Sequence, residues 1–327
     1  MSSLPRYVER FRKRVGVGQT MSRLSELIDG QRDRVVATTK GLFSHGDYPL
    51  AGTLDYRGDP GLFGPDSMTW SVVGDTAVFI GGIRALLVQA AHPEVATGVA
   101  EHSRYREDPL GRLTRTSAYV TATSFGAMPE VERAVALVRA RHRPVVGQSA
   151  RGRPYDASDP ALAAWVHNSL TDSFLTAFRE YGAQSFSESD ANRYVAEQAQ
   201  VGALLGADPL PATADALAAW IADNPALGPS PGAAEAIQFL RRPPLPLPIR
   251  HAYGLLFRAA VATLPVRISE IIGVKTRAGD REIGRASVAA LRWSLGSSPD
   301  WQLALVRVGA VAPPGVSFRQ PLPPEAR

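Results

Sequence analysis

The chain contains no cysteine among its 327 residues. That absence excludes disulfides, thiolate-bound zinc, iron–sulfur clusters, thiolate-ligated haem and cysteine nucleophiles together. Any metal or haem iron must then be held by His, Asp, Glu, Tyr, Met or Lys. Familiar catalytic signatures are missing as well: there is no H-E-x-x-H and no Walker A loop. The glycines of Val15-Gly-Val-Gly18 follow a basic segment rather than a strand, so they make no dinucleotide fingerprint. An uninterrupted apolar run of about 20 residues, the length a membrane span needs, is also absent. The most apolar stretch, Val72 to Ala91, is broken by Gly74, Asp75, Gly81, Gly82, Arg84 and Gln89, and is expected to be a buried helix. Basic residues near the N-terminus have no apolar run behind them. No secretory signal is read there, no stable membrane insertion is expected, and the expected location is cytoplasmic.

What is present is an ordinary globular balance, with 45% apolar and 20% charged residues. The length suffices for one large domain or two modest ones. The net charge is +5 and the pI about 9.7, mostly from arginine. The plainer reading is a solvated basic surface. The other is a surface for anionic groups: propionates, acidic substrates or a membrane face. No zinc-finger or RNP-type pattern occurs, so nucleic acid is not an expected partner.

Helix signals dominate, and the fold class is all-α. Asp75 to Ala91 reads as a helix with a close-packing point at Gly81-Gly82. Pro93 suits the first turn of the next, to about Ser103. Asp108-Pro109 opens another, to Phe125, and residues 129–141 form the one after. Asp159-Pro160 is a cap followed by a first-turn proline, with Gly182 as the stop. Ser187-Glu-Ser-Asp190 opens a helix to Leu205 as a variant capping box. Beyond Gly206 shorter helices are expected over about 212–222, 231–240, 249–262 and 280–295. Residues 1–45 read as an N-terminal helical extension and residues 46–311 as one helical domain. Within that domain 46–205 form the core and 206–311 add accessory helices. Residues 312–327 read as a loose proline-rich tail.

Of the six histidines, His142 lies four residues beyond Val138 and seven beyond Val135. It continues the apolar stripe of its helix and should point inward. An inward imidazole suits an axial haem ligand or a hydrogen-bonded core histidine. Arg112 and Thr116 are one turn apart, with Tyr119 on the same face. A guanidinium fork and a hydroxyl together recognise an anion, unless the arginine is merely solvated. Arg115, between them, points elsewhere. His92 and His102 bracket one short helix, offset by roughly 80°, while Glu94 and Glu101 are more nearly co-facial. That helix reads as a pocket wall carrying a carboxylate base, as a source of non-haem metal ligands, or as a set of caps and surface contacts. His167, beside Asn168 and near Asp172, suits a structural hydrogen bond. His45 and His251 have no chemical company in sequence.

Several runs occur in a telling order. Leu86 to Ser103 carries His92-Pro-Glu and Glu101-His-Ser. Asp108-Pro-Leu-Gly-Arg-Leu-Thr-Arg-Thr116 follows, then His142-Arg-Pro-Val-Val-Gly147, Tyr155-Asp-Ala-Ser-Asp-Pro160 and Trp165-Val-His167. Together, over roughly residues 46–205, they resemble the catalytic domain of the latex-clearing rubber oxygenases and the mycophenolic-acid-pathway oxygenases, much of it long catalogued as a domain of unknown function. The resemblance implies a globin-like helical core that binds haem b (iron) non-covalently. It makes His142 similar to the axial ligand, and Arg112 and Thr116 similar to the Arg-x-x-x-Thr pair beside the haem. A lysine beside that threonine can close the iron in rubber oxygenases. Arg115 stands there in this chain, and arginine is a poor iron ligand. A pocket glutamate acts as base in those enzymes, with Glu94 and Glu101 the candidates here. The implied function is a haem b-dependent oxygenase taking dioxygen and an apolar or alkene-bearing small molecule of isoprenoid or secondary-metabolite type. The unread secretion signal argues against rubber itself. The other readings are a non-catalytic haem carrier or gas sensor, and a non-haem metalloenzyme built on His92 and His102.

Overall fold

The structure is a computed structural model and describes residues 30, 32–39, 41 and 47–322. Of the expected N-terminal extension only residues 30, 32–39 and 41 are described, all helical, and His45 lies outside the described residues. The described residues are all-α apart from one small ribbon. The helices are α1 Met68–Gly74, α2 Val78–Ala90, α3 Pro93–His102, α4 Pro109–Phe125 and α5 Met128–His142. The strands β1 Val146–Gln148 and β2 Pro154–Asp156 follow. Next come α6 Pro160–Tyr181, α7 Glu188–Leu204, α8 Ala214–Asp223, α9 Pro231–Arg241 and α10 Leu247–Val261. The last three are α11 Val266–Ile271, α12 Asp280–Leu295 and α13 Pro299–Val308.

The apolar run from Val72 to Ala91 is not one helix. Gly74 ends α1, and the Asp75 carboxylate accepts the Ala77 N–H at 2.7 Å, so the chain restarts as α2. The two helices meet at 92°. The α2 helix is the centre of the fold and packs along α6. That approach needs Gly81, where a Cβ would stand 2.6 Å from the Phe174 ring. Gly82, expected to share the role, faces open space. No single described helix is long and apolar enough to cross a membrane.

Helix ends follow their side-chain chemistry. Asp108 caps α4 through the Gly111 N–H, and Asp159 caps α6 through the N–H groups of Ala161 and Leu162. Ser187 and Asp190 satisfy each other reciprocally at the start of α7. The hydrophobic core draws on both halves of the chain, joining Trp70, Leu87, Trp165 and Phe178 to Leu217, Ile268, Val288 and Trp301. The proline-rich segment beyond Ala312 is docked as far as residue 322. Phe318 bridges to Gly296 and meets Trp301 edge-on, and Leu322 packs on the core.

Candidate functional site

Helices α4 and α5 pack on each other as a helical hairpin joined at Gly126-Ala127. Arg112 lies 13 residues before Phe125 and His142 lies 14 beyond Met128. At 1.5 Å per residue both stand about 20 Å from the turn, and both are tied to α3, Arg112 through Ser103 and His142 through the ribbon that follows it and packs on that helix. Val131 and Val135 are buried, while Val138 and His142 are half-buried, so the expected stripe opens toward solvent as it reaches the histidine. The His142 ring has no side-chain partner among the described residues, and burial lowers its pKa, which favours the neutral imidazole.

On α4, the Arg112 guanidinium is half-buried and donates to Ser103 Oγ. Burial lowers its pKa, with the Tyr105 hydroxyl opposing. Thr116 is exposed, and its hydroxyl donates to the Arg112 carbonyl at 3.1 Å. One turn on, the Tyr119 hydroxyl is buried with no partner, and burial pushes its pKa up. The Thr114 hydroxyl is likewise buried and unpartnered. Arg115 points away and pairs with Asp108 at 3.1 Å on the exposed side.

The ribbon that follows His142 is clasped to α3 at two points. Its register pairs Val146 with Asp156, Gly147 with Tyr155 and Gln148 with Pro154. Gly147 is required there, since a Cβ would stand 2.4 Å from the Tyr155 hydroxyl. At one clasp Glu94, buried, accepts from Ser149 Oγ at 2.8 Å and from Arg151 Nε at 2.7 Å, with Arg151 Nη2 closing the fork. Burial alone would raise the Glu94 pKa, but those donors and the Arg151 charge outweigh it and hold the carboxyl at about 2. At the other clasp the Tyr155 hydroxyl donates to Glu101 and lies 3.1 Å from His102 Nε2. Burial, the Glu101 bond and its charge raise the Tyr155 pKa to about 12. The two glutamates are thus co-facial as expected, but they differ in availability. Glu94 is committed to an arginine, whereas Glu101 is exposed and holds one hydroxyl.

With this geometry in place, the comparison with known families is decisive. Residues 70–293 match the family described as ER-bound oxygenase mpaB/B'/Rubber oxygenase, catalytic domain. The chain belongs to that family. Membership covers more than half the chain and reaches α12, well past the Leu205 limit set by the motif runs. No curated protein and no solved structure matches the chain. An oxygenase catalytic domain takes dioxygen and a small-molecule substrate, and the hairpin end offers one place for such chemistry.

The donor set there fits haem. A neutral imidazole without a competing partner is free to give its lone pair to iron. A half-buried guanidinium is suited to a propionate. The buried Tyr119 hydroxyl, two turns along the same face as Arg112, is left with no partner and could serve a ligand as donor. The histidines proposed for a non-haem centre are not gathered in this way. His92 lies against Trp165 with Nδ1 3.3 Å from Glu94 Oε2, while His102 faces Tyr155. Among the described residues no three His, Cys, Asp or Glu converge as a metal-binding group.

Ser149, Arg151 and Tyr155 escaped the residue-by-residue reading. For Ser149 and Arg151 the signal was present only as position, in the segment directly after His142, whereas Tyr155 heads one of the runs that carry the resemblance. Asp172, expected near His167, turns instead to Arg84, and the His167 ring lies 3.4 Å from Thr171 Oγ1. His251 is exposed.

Two of these histidines set an acid limit on the fold. Burial lowers both His92 and His167 from 6.5 to about 4, against weaker opposition from Glu94 and from a backbone bond of Gln198 respectively. Between pH 6.5 and 4 the unfolded chain then binds more protons than the folded one. Stability therefore rises with pH across that window and is lost on acidification. At pH 5 each histidine should cost about 2 kcal/mol relative to neutral pH. Urea unfolding at pH 7 and pH 5 measures the loss, and His167→Gln should remove about half of it. Equal midpoints at the two pH values would contradict the assignment.

Proposed function

We propose that the protein is a haem b-dependent oxygenase acting on an apolar or alkene-bearing small molecule of isoprenoid or secondary-metabolite type. The observation that carries this reading is a neutral, unpartnered His142 placed at the same hairpin end as Arg112, in a chain of the rubber-oxygenase family. Haem, when bound, supplies dioxygen binding and the redox chemistry. His142 would hold the iron, and Arg112 would orient a propionate through its fork of donors. Tyr119 brings a hydroxyl that burial keeps protonated, so it offers a hydrogen-bond donor at neutral pH. Glu94 is unsuited to act as a base, because its carboxylate is held by Arg151 and Ser149, whereas Glu101 is engaged by a single hydroxyl. The Glu101–Tyr155–His102 contacts offer a path along which a proton can move between solvent and the ribbon.

The test is a visible spectrum of the purified protein, before and after incubation with hemin and then with reductant. A Soret band of one haem per chain is expected. Oxygen uptake on adding an alkene such as squalene then separates an oxygenase from a haem carrier or gas sensor. A preparation that stays colourless after hemin incubation would overturn the proposal.

A further inference from the structure

A second site lies far from His142. A cleft of about 380 Å³ opens between α1, the ends of α6 and α12, and the docked C-terminal segment. That volume is within the range of small-molecule pockets, roughly 300–1,000 Å³. The distance from the hairpin end follows from helix lengths. Pro160, at the ribbon, and Phe178, in the cleft wall, are 18 residues apart on α6, or about 27 Å. The cleft is therefore not part of the site described above.

Its walls are built rather than loose. Gly296, at φ 68°, allows residues 317–319 to lie against the end of α12. There the Ser297 N–H donates to the Ser317 carbonyl at 2.7 Å, and Gln320 Nε2 reaches the Leu295 carbonyl at 3.2 Å. Arg292 is fixed by the buried Asp75 carboxylate through Nη2 at 2.8 and 3.0 Å and Nε at 3.2 Å, and Nη2 also meets the Tyr181 carbonyl. Its Nη1 is left without a partner. Arg319, also lining the cleft, has no acidic or hydrogen-bonding partner among the described residues. The aromatic surfaces are Phe178, Trp301 and Trp293, of which Trp293 is 48% exposed, unusual for so large an apolar group. Trp301 is 3% exposed, yet its Nε1–H has no acceptor.

From this arrangement we infer that the cleft binds a small planar aromatic carboxylate, its anionic end on Arg319 and the free edge of Arg292, its ring on Trp293. Two unengaged guanidinium edges define the charge of the ligand. The exposed Trp293 indole offers a flat aromatic face for its ring. An uncharged isostere would leave the arginines unanswered and should bind weakly.

The test is titration of the full chain with 2-naphthoate and with 2-naphthamide, read by calorimetry and by tryptophan fluorescence. Saturable one-to-one binding of the acid is expected, with the amide at least tenfold weaker. Arg319→Gln and Trp293→Ala, both on the surface, should each weaken 2-naphthoate at least tenfold without changing the thermal melt, and His142→Ala should leave it unchanged. Equal affinity for acid and amide, indifference to Arg319→Gln, or loss of binding in His142→Ala would each overturn the inference.

Discussion

Replacing His142 with alanine is expected to weaken hemin binding at least a hundredfold while leaving the helical fold intact. Loss of a mere supporting partner of a metal ligand costs about 10–100-fold in affinity, and loss of the ligand itself should cost at least as much. The fold should tolerate the change because His142 is the last residue of α5, is only half-buried and has no side-chain hydrogen bond to lose. The measurement is a hemin titration followed at the Soret band, with far-UV circular dichroism of the same samples through a thermal melt. Arg112→Ala serves as the contrast. It removes a propionate partner but no iron ligand, so a smaller loss with an unchanged band position is expected. If His142→Ala takes up hemin with wild-type affinity and spectrum, the iron ligand lies elsewhere. The hairpin end would then have to be reconsidered as a purely structural surface.

How far the sequence anticipated this depends on whether each signal is local. Helix α6 was readable end to end, because Asp159-Pro160 and Gly182 act on their own neighbours. Helix α12 was readable for similar reasons of pattern, over Asp280–Leu295. The 92° break between α1 and α2 was not, since it falls inside an apolar run and is held by Asp75 reaching Arg292, 217 residues away. The ribbon was missed because its strands are three residues long, with β1 exposed throughout and only Tyr155 buried on β2. Short exposed strands like these take their register from outside partners, here α3. Helices α11 and α13 were missed too: α11 is six residues long with little beyond a preceding proline to announce it, whereas α13 carries local signals in Ser298-Pro299-Asp300 at its start and Gly309 at its end. At the site, co-facial placement of Glu94 and Glu101 followed from a spacing of seven residues. What each meets did not follow, since Arg151 and Tyr155 arrive from 57 and 54 residues away. Thr116 was expected to turn inward beside Arg112, yet its hydroxyl is exposed and bonded to its own helix, the usual alternative for threonine on a helix.

Replacing Asp172 with alanine should have the largest effect on stability. Arg84 on α2 is 2% exposed and Asp172 on α6 is 6% exposed. Arg84 Nη1 donates to Asp172 at 2.6 Å and to Ser173 Oγ at 2.8 Å, and Nε donates to the Thr263 carbonyl at 3.2 Å. Removing the carboxylate leaves a guanidinium in the core with no counter-charge, which costs about 3–5 kcal/mol. Removing both charges together, as Arg84→Met with Asp172→Leu, replaces the pair by apolar volume and should recover most of that loss. Urea unfolding of the two variants and the wild type measures both terms. Equal losses in the single and double variants would mean that packing, rather than an isolated charge, dominates at this position. The consequence extends to the site. Helix α2 leads through Ala91 and His92 into α3, and α6 begins just after β2, so the two clasps between α3 and the ribbon sit on the ends of the helices that Arg84 and Asp172 join. Weakening that joint should therefore loosen the ribbon before the chain unfolds, and exchange of the Val146–Asp156 amides should rise more in Asp172→Ala than exchange in α12.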